Sequence, residues 1–208
     1  MIKYPEPKWG ELWGVDQIGA DILYNHVVKQ KPEVILETGT FEAQATYVMA
    51  KAANENENNC VIYTIDYDGD PTTSFEAKDW LDLKNIRNDN LKKIQDEFKD
   101  VKVVFVEGDS RKKLTRMFKE FKISKVDLFF QDSMHFFTGI LNEWLLVEPY
   151  LEKGSCAIFD DLNHPQWGND DLGYGVDTFR DWFKLIYKDK YMYKEVSVGH
   201  GSFWVTQL

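Results

Sequence analysis

The sequence has 208 residues, of which 43% are hydrophobic, and its 35 acidic and 25 basic side chains give a formal net charge of -10. This length suits one domain with its own core, and two cysteines are too few for a disulfide scaffold. The acidic balance disfavours nucleic acid or an anionic membrane as the main partner. Because the sequence has neither a signal-peptide pattern nor an apolar run long enough to span a membrane, we expect a soluble, cytoplasmic protein.

Two kinds of segment alternate along most of the chain. Apolar residues at helical spacing predict helices over about 15–29, 42–54, 76–99, 110–121, 136–151 and 175–188. Short runs of β-branched and aromatic residues between them predict buried strands at 34–36, 61–65, 101–106, 126–130 and 156–159. This alternation favours an α/β fold, in which a doubly wound, mostly parallel sheet is covered by helices on both faces.

The end of the chain departs from this alternation. Two strand-like runs, 191–198 and 202–207, are separated only by Gly199, His200 and Gly201, a link too short for a crossover helix. We therefore expect a Rossmann-like parallel sheet that ends in an antiparallel β-hairpin. The expected organisation is a single domain over 1–208, with an N-terminal helical or lid segment at 1–30 and the core at 31–208.

Polar residues follow the first three predicted strands, at the sheet edge where ligands bind in open α/β folds. Gly39 permits either a tight turn or a close approach of the backbone to a ligand. Asp66 is either an acceptor for ribose hydroxyls or an ordinary acidic loop residue. Asp109 and Ser110 are candidates for capping the next helix, a role compatible with a position beside a nucleotide base.

The fourth and fifth predicted strands end in carboxylates and histidines. Asp132 and His135 follow the fourth strand, and Asp160, Asp161 and His164 follow the fifth. If these strands are neighbours, the carboxylates converge and repel one another unless a cation lies between them. Carboxylate oxygens favour Mg²⁺, Mn²⁺ or Ca²⁺, so the pattern indicates a metal site, whereas helix capping and solvated loop ends are the structural alternative.

Taken together, these segments resemble the class I S-adenosylmethionine-dependent methyltransferases over about residues 30–208. The final hairpin is similar to the one that distinguishes that fold from the dinucleotide dehydrogenases, and the G-x-G-x-x-G motif of dehydrogenases is missing. The resemblance implies that S-adenosyl-L-methionine is bound at its methionine end, ribose and adenine by positions in these motifs: Glu37, Gly39, Thr40, Phe41, Asp66, Asp109, Ser110 and Asp132. Phe41 and Ala43 stand where the family usually has glycines.

The stretches 126–135 and 151–161 are similar to a subgroup of metal-dependent O-methyltransferases that act on sugars and related small molecules. That resemblance implies Asp132, Asp160 and Asp161 as ligands of Mg²⁺ (or Mn²⁺) and His135 as the general base, with His164 as a second candidate. Met134 stands where many relatives have an acidic residue.

The expected function is methyl transfer to a hydroxyl of a small molecule or sugar. A non-haem iron oxygenase using Asp132, His135 and His164 is the first alternative, and a non-catalytic module with a degenerate cofactor cleft is the second. Aromatic and polar residues of the flanks suit either an acceptor pocket or a packed lid or subunit contact: Trp9, Trp13, Trp167, Asn169, Asp170, Asp171 and Tyr174. Dimers are common among similar proteins, and the sequence leaves the oligomeric state open.

Overall fold

The computed structural model describes residues 2–6, 15–67, 77–162 and 175–208. The helices within these ranges are α1 (Gln17–Gln30), α2 (Gln44–Glu55), α3 (Ala77–Glu97), α4 (Ser110–Glu120), α5 (Phe137–Val147) and α6 (Val176–Ile186). The strands are β1 (Val34–Thr38), β2 (Cys60–Asp66), β3 (Val101–Glu107), β4 (Val126–Gln131), β5 (Leu151–Asp160), β6 (Tyr191–Val196) and β7 (Ser202–Gln207). The predicted alternation and the closing hairpin are both confirmed.

The strands form one seven-stranded sheet in the order β3-β2-β1-β4-β5-β7-β6. The first five strands pair in parallel, whereas β7 is antiparallel to both β5 and β6. This is the class I methyltransferase architecture expected from the sequence. The strand order reverses between β1 and β4, and a crevice at such a reversal is where open α/β sheets bind ligands.

Helices cover both faces of the sheet because its central strands are apolar on both sides. In β4, Leu128 and Phe130 pack on one face with α1, α2 and α3, whereas Phe129 packs on the other with α4, α5 and α6. Among the tryptophans of the described helices and strands, Trp144 and Trp204 are buried. Trp80 and Trp182 are only partly buried.

The boundary between α5 and β5 differs from the sequence prediction. The helix expected over 136–151 ends at Val147, and a 3₁₀ turn, Glu148–Tyr150, follows it. Pro149 has no backbone N–H to continue the α-helical hydrogen bonds, which accounts for the early end. β5 then begins at Leu151, five residues before the predicted strand, and Leu151 pairs with Val126 at an irregular point of the β4–β5 register.

Among the helices that the structure describes, none is both long and apolar enough to cross a membrane.

Candidate active site

Gly39 closes the junction between β1 and β4 at the reversal of strand order. It has a φ of 91°, and a Cβ atom there would lie 2.0 Å from the backbone carbonyl oxygen of Asp132. Its N–H donates to the carbonyl of Ile65 at 2.9 Å, while the N–H of Asp132 donates to the carbonyl of Thr38 at 2.8 Å. Glycine is therefore required here by the close approach of two strand ends as well as by backbone conformation.

The turn after Gly39 has left-handed backbone at two residues that are not glycine. Phe41 has a φ of 45° and Ala43 a φ of 63°. These are the positions where the family usually has glycines, and left-handed backbone is the conformation that glycine adopts most readily. Ala43 precedes α2 and provides no side-chain cap, but its N–H donates to the carbonyl of Thr40 at 2.6 Å.

Glu37 is fully buried beneath this turn. Its Oε2 accepts a hydrogen bond from the hydroxyl of Thr46 at 2.5 Å, and its Oε1 has no hydrogen-bond partner among the residues that the structure describes. Burial raises the pKa of Glu37 to about 8. The nearby Thr40 is also buried, and its hydroxyl pairs with that of Thr64 at 2.5 Å.

Asp66 ends β2 and is more accessible than Glu37. Its Oδ2 accepts from the N–H of Phe41 at 2.5 Å and lies 3.6 Å from Nη1 of the buried Arg87. Its Oδ1 accepts from the N–H of Tyr67 at 2.7 Å, and its side chain is 22% exposed. Asp66 therefore ties the turn to β2, and its partly exposed carboxylate is accessible to a ligand hydroxyl.

Asp109 and Ser110 form the start of α4. The Asp109 carboxylate accepts from the N–H of Arg111 as the helix cap and also contacts the Arg111 guanidinium, which lowers the pKa of Asp109. The buried hydroxyl of Ser110 donates to the carboxylate of Glu143 in α5. The capping role expected for Asp109 is thus present, and Ser110 is engaged with another part of the protein.

Glu143 is a buried carboxylate that the sequence analysis did not identify. It accepts hydrogen bonds from Thr38 at 3.0 Å and Ser133 at 2.7 Å, in addition to Ser110. Burial raises its pKa, whereas these hydroxyl contacts act in the opposite direction. The carboxylate joins the ends of β1 and β4 and the start of α4 to the body of α5.

Asp132, His135 and Asp161 meet at the ends of the adjacent strands β4 and β5. Nε2 of His135 lies 3.0 Å from Oδ2 of Asp161 and 3.5 Å from Oδ1 of Asp132. Burial by itself would lower the pKa of His135, but Asp161 and Asp132 outweigh it and raise that pKa to about 10. Burial, reinforced by the charge of Asp161, raises the pKa of Asp132 to about 6.

Asp160 and Asp161 are separated by a change of backbone conformation. Asp160 is the last residue of β5 and pairs with Ser202, whereas Asp161 has left-handed backbone with a φ of 62°. Strict strand alternation would have directed the two carboxylates to opposite faces, but the strand ends between them. Burial, together with the charges of Asp132 and Asp161, raises the pKa of Asp160 well above its ordinary range.

His200, at the tip of the β6–β7 hairpin, also reaches this cluster. Its Nδ1 lies 3.3 Å from Oδ1 of Asp161, and its backbone N–H donates to Oδ2 of Asp16 at 2.9 Å. Sequence reasoning identified this residue only as part of the hairpin link. The available signal was a histidine between two glycines, in a hairpin expected to lie beside the strand-end carboxylates.

The residues of the cluster fit a divalent cation by donor type and spacing. Asp132, His135 and Asp161 each offer one ligand atom, and these atoms lie within 4.8 Å of one another. Oxygen ligands suit Mg²⁺ or Mn²⁺, and a cation would offset the repulsion that raises the carboxylate pKa values. At the other end of the crevice, the partly exposed carboxylate of Asp66 fits the hydroxyls of an aminoacyl nucleoside cofactor. The Oε1 of Glu37, which has no partner within the described part of the chain, fits its ammonium group.

Several sequence candidates lie outside the described residues: His164, Trp9, Trp13, Trp167, Asn169, Asp170, Asp171 and Tyr174.

Comparison with known proteins identifies the class of enzyme. A family model described as a methyltransferase domain matches residues 36–162. This match covers more than half of the chain, which therefore belongs to that methyltransferase family. A search of curated proteins found no match.

Solved structures share the fold at low sequence identity. The O-methyltransferase TomG from Streptomyces achromogenes, involved in tomaymycin synthesis and bound to SAM, has a TM-score of 0.68 at 15% identity, over 94% of this chain and 82% of TomG. An O-methyltransferase from Bacillus cereus bound to SAH has a TM-score of 0.67 at 17% identity, over 94% of this chain and 83% of its own. A TDP-rhamnose 3'-O-methyltransferase of calicheamicin biosynthesis has a TM-score of 0.61 at 20% identity, over 91% of this chain and 77% of that enzyme's chain.

Proposed function

We propose that the protein transfers a methyl group from S-adenosylmethionine to a hydroxyl of a small molecule or sugar, assisted by a divalent cation. The observation that carries this proposal is the cluster of Asp132, His135 and Asp161 beside Gly39, at the strand-order reversal of a methyltransferase fold. The similar structures bound to SAM or SAH, and the one named as a sugar O-methyltransferase, support the cofactor and the acceptor class.

The cofactor would lie along the carboxyl ends of β1, β2 and β3. Asp66 would accept the ribose hydroxyls, and the turn at Gly39 and Phe41 would line the methionine end, with Asp132 beside it. Thr40 and Ser110 are buried, so they would act mainly by holding this turn and the start of α4 in place. The Oε1 of Glu37 would accept a hydrogen bond from the ammonium group of the cofactor. Asp109 would lie beside the adenine.

Asp132 and Asp161 would hold the cation, with Asp160 completing the ligand set. S-adenosylmethionine supplies a methyl group already activated on a sulfonium centre. A bound divalent cation lowers the pKa of a hydroxyl that it coordinates. The remaining tasks of the protein are to orient the acceptor and to receive its proton.

His135 would receive that proton at Nε2. With both carboxylates facing it, its pKa of about 10 keeps the imidazole protonated at neutral pH, when it cannot act as a base. When Asp132 and Asp161 hold a cation, their charges would no longer raise the pKa of His135 to the same extent. The imidazole could then lose its proton and act as a base. His164 remains a second candidate for the base.

The acceptor would enter between α1, the ends of β4 and β5, and the hairpin, where the structure has a cavity of about 20 Å³. Its walls are mostly apolar, from residues such as Ile22, Phe130 and Val198, and its polar groups include Asp160 and His200. Small-molecule sites typically combine apolar walls with a few convergent polar groups, so this lining suits a hydroxylated acceptor with an apolar body, for which the cavity would have to open.

Calorimetry on EDTA-stripped protein tests the proposal. We expect micromolar binding of S-adenosylmethionine and S-adenosylhomocysteine, and a separate binding heat for Mg²⁺ or Mn²⁺. Asp132→Asn removes one ligand charge and should weaken Mn²⁺ binding by at least about tenfold. Asp96→Asn is the matched control, because it removes one carboxylate from an exposed position on α3 and should leave Mn²⁺ affinity unchanged.

The outcomes separate the proposal from its rivals. If neither nucleoside binds at millimolar concentration, the methyltransferase proposal is wrong for this chain. Fe(II)-dependent oxygen consumption would then favour the iron oxygenase, although the family match supports methyl transfer. Nucleoside binding without turnover of any acceptor in a broad hydroxyl screen would instead favour the non-catalytic module.

A further inference from the structure

The tip of the β6–β7 hairpin is built to hold one side chain in a fixed place. His200 lies between Gly199, with a φ of 63°, and Gly201, with a φ of 75°. The N–H of Gly201 donates to the carbonyl of Val198 at 3.1 Å, and its carbonyl accepts from the N–H of Leu162 at 3.1 Å. The tip is therefore hydrogen-bonded within itself and also to the turn that carries Asp161.

Asp16 fixes the same tip from the opposite side. One carboxylate oxygen accepts from the N–H of Gly19 at 2.6 Å and caps α1, while the other accepts from the N–H of His200 at 2.9 Å. A Cβ atom at Gly199 would lie 2.0 Å from Oδ2 of Asp16, so this contact requires a glycine beside the histidine. The start of α1 and the hairpin tip are thus held together by a single carboxylate.

The imidazole of His200 engages one oxygen of Asp161, and His135 engages the other. The distances are 3.3 Å from Nδ1 of His200 to Oδ1 and 3.0 Å from Nε2 of His135 to Oδ2. Because both of its oxygens are contacted, the Asp161 carboxylate cannot rotate freely about its Cβ–Cγ bond. Asp161 also has left-handed backbone, which other contacts must hold in place.

We propose that His200 is a positioning residue that orients Asp161 as a cation ligand, and that Asp16 holds His200 in place for that task. This inference rests on the proposed cation site, because it assigns the group that supports one of its ligands. Partners that hydrogen-bond to a ligating carboxylate or imidazole typically change metal affinity by 10- to 100-fold when they are removed.

Mn²⁺ titration followed by electron paramagnetic resonance tests the role of His200. We expect His200→Ala to weaken Mn²⁺ binding by about 10- to 100-fold. His200→Asn should restore most of that affinity, because its Nδ2 can donate to Asp161 from nearly the position of the histidine Nδ1. S-adenosylhomocysteine affinity should be unchanged in both variants, since the proposed cofactor end of the crevice does not contact the hairpin tip.

Each alternative outcome overturns a distinct claim. Wild-type affinity for Mn²⁺ in His200→Ala would overturn the positioning role while leaving the proposed cation site intact. Equal loss in the alanine and asparagine variants, together with lost binding of S-adenosylhomocysteine, would show a merely structural role and would also overturn it. A wild-type protein that binds no Mn²⁺ would overturn both the cation site and this inference.

Discussion

At the scale of single residues, Gly39 is a position where the structure leaves little room for a side chain. Its left-handed backbone would strain any other side chain, and its neighbour across the junction is the backbone of Asp132 rather than a flexible side chain. A backbone neighbour cannot move aside without shifting the end of β4. The conformation of one residue therefore controls the distance between the proposed cofactor and cation sites.

Substitution of Gly39 by alanine should be more costly than the same change at Gly154. Both glycines have left-handed backbone, with φ values of 91° and 89°, but a Cβ atom at Gly154 would meet nothing within 4 Å. Gly154→Ala should lower the free energy of unfolding by about 1 kcal/mol through strain alone. Gly39→Ala should cost at least about 2 kcal/mol more, because it adds a clash with backbone atoms.

Urea unfolding of the two variants measures this difference. If the two variants lose the same unfolding free energy, the junction between β1 and β4 opens easily. It would then not hold the proposed cofactor and cation sites at a fixed distance. Binding of S-adenosylhomocysteine to Gly39→Ala, measured by calorimetry, should be weakened as well.

At the scale of elements, Glu143 connects parts of the fold that the sheet does not join directly. Its contacts with Thr38, Ser110 and Ser133 bring the ends of β1 and β4 to the helices on one face. A buried carboxylate is costly unless hydrogen bonds compensate it, and here three hydroxyls do so. The network therefore links the ends of β1 and β4 to α4 and α5.

Removal of this carboxylate should destabilise the protein, whereas an amide should largely replace it. Glu143→Ala leaves three hydroxyls without their acceptor and should cost about 2–4 kcal/mol of unfolding free energy. Glu143→Gln keeps one carbonyl oxygen for Ser110 and Ser133 and can donate to Thr38, so its cost should stay below about 1 kcal/mol. Urea unfolding at pH 7 measures both, and an alanine variant as stable as the glutamine variant would contradict the network.

The elements themselves were predictable from local patterns, but the contacts between distant elements were not. Alternating apolar runs identified every described strand of the sheet, and the strand-end rule located Asp66, Asp132 and Asp161. The role of Glu143 was not predicted, because a single acidic residue in a helix is usually solvated. Only the packed fold shows that it faces inward. The contact of His200 with the acidic cluster was not predicted either, because it depends on the pairing of β7 with β5, which no local pattern encodes.

At the scale of the whole molecule, α1 packs on a face of the sheet to which the hairpin strand β7 contributes. His26 of α1 contacts Trp204 of β7 edge to face, with ring centroids 4.6 Å apart. Burial, with smaller contributions from Lys194 and Lys29, lowers the pKa of His26 to about 4. Protonation of this histidine is therefore coupled to the folding of the entire chain.

Stability should decrease through His26 as the pH falls from about 6.5 towards 4. In that window the unfolded chain binds a proton at His26 that the folded protein does not, so unfolding becomes more favourable. The contribution should reach about 2 kcal/mol at pH 5 and about 3 kcal/mol below pH 4.

His26→Gln isolates this contribution from the carboxylates, whose raised pKa values act with the opposite sign. Urea unfolding of wild type and His26→Gln at pH 7 and pH 5 should show a smaller loss of stability on acidification in the variant. Parallel changes in the two proteins would contradict the assignment of the shift to His26.

The hydrogen bond between Asp16 and His200 joins positions 184 residues apart, and β7 lies between β5 and β6 rather than at the sheet edge. Such distant pairings form slowly, and during synthesis the N-terminal part of a chain emerges first. A nascent chain that has formed β1 to β4 can therefore hold the turn at Gly39 long before His200 has left the ribosome. The crevice that would receive the cofactor is then assembled early, whereas the acidic cluster is completed only when the β6–β7 hairpin has been made.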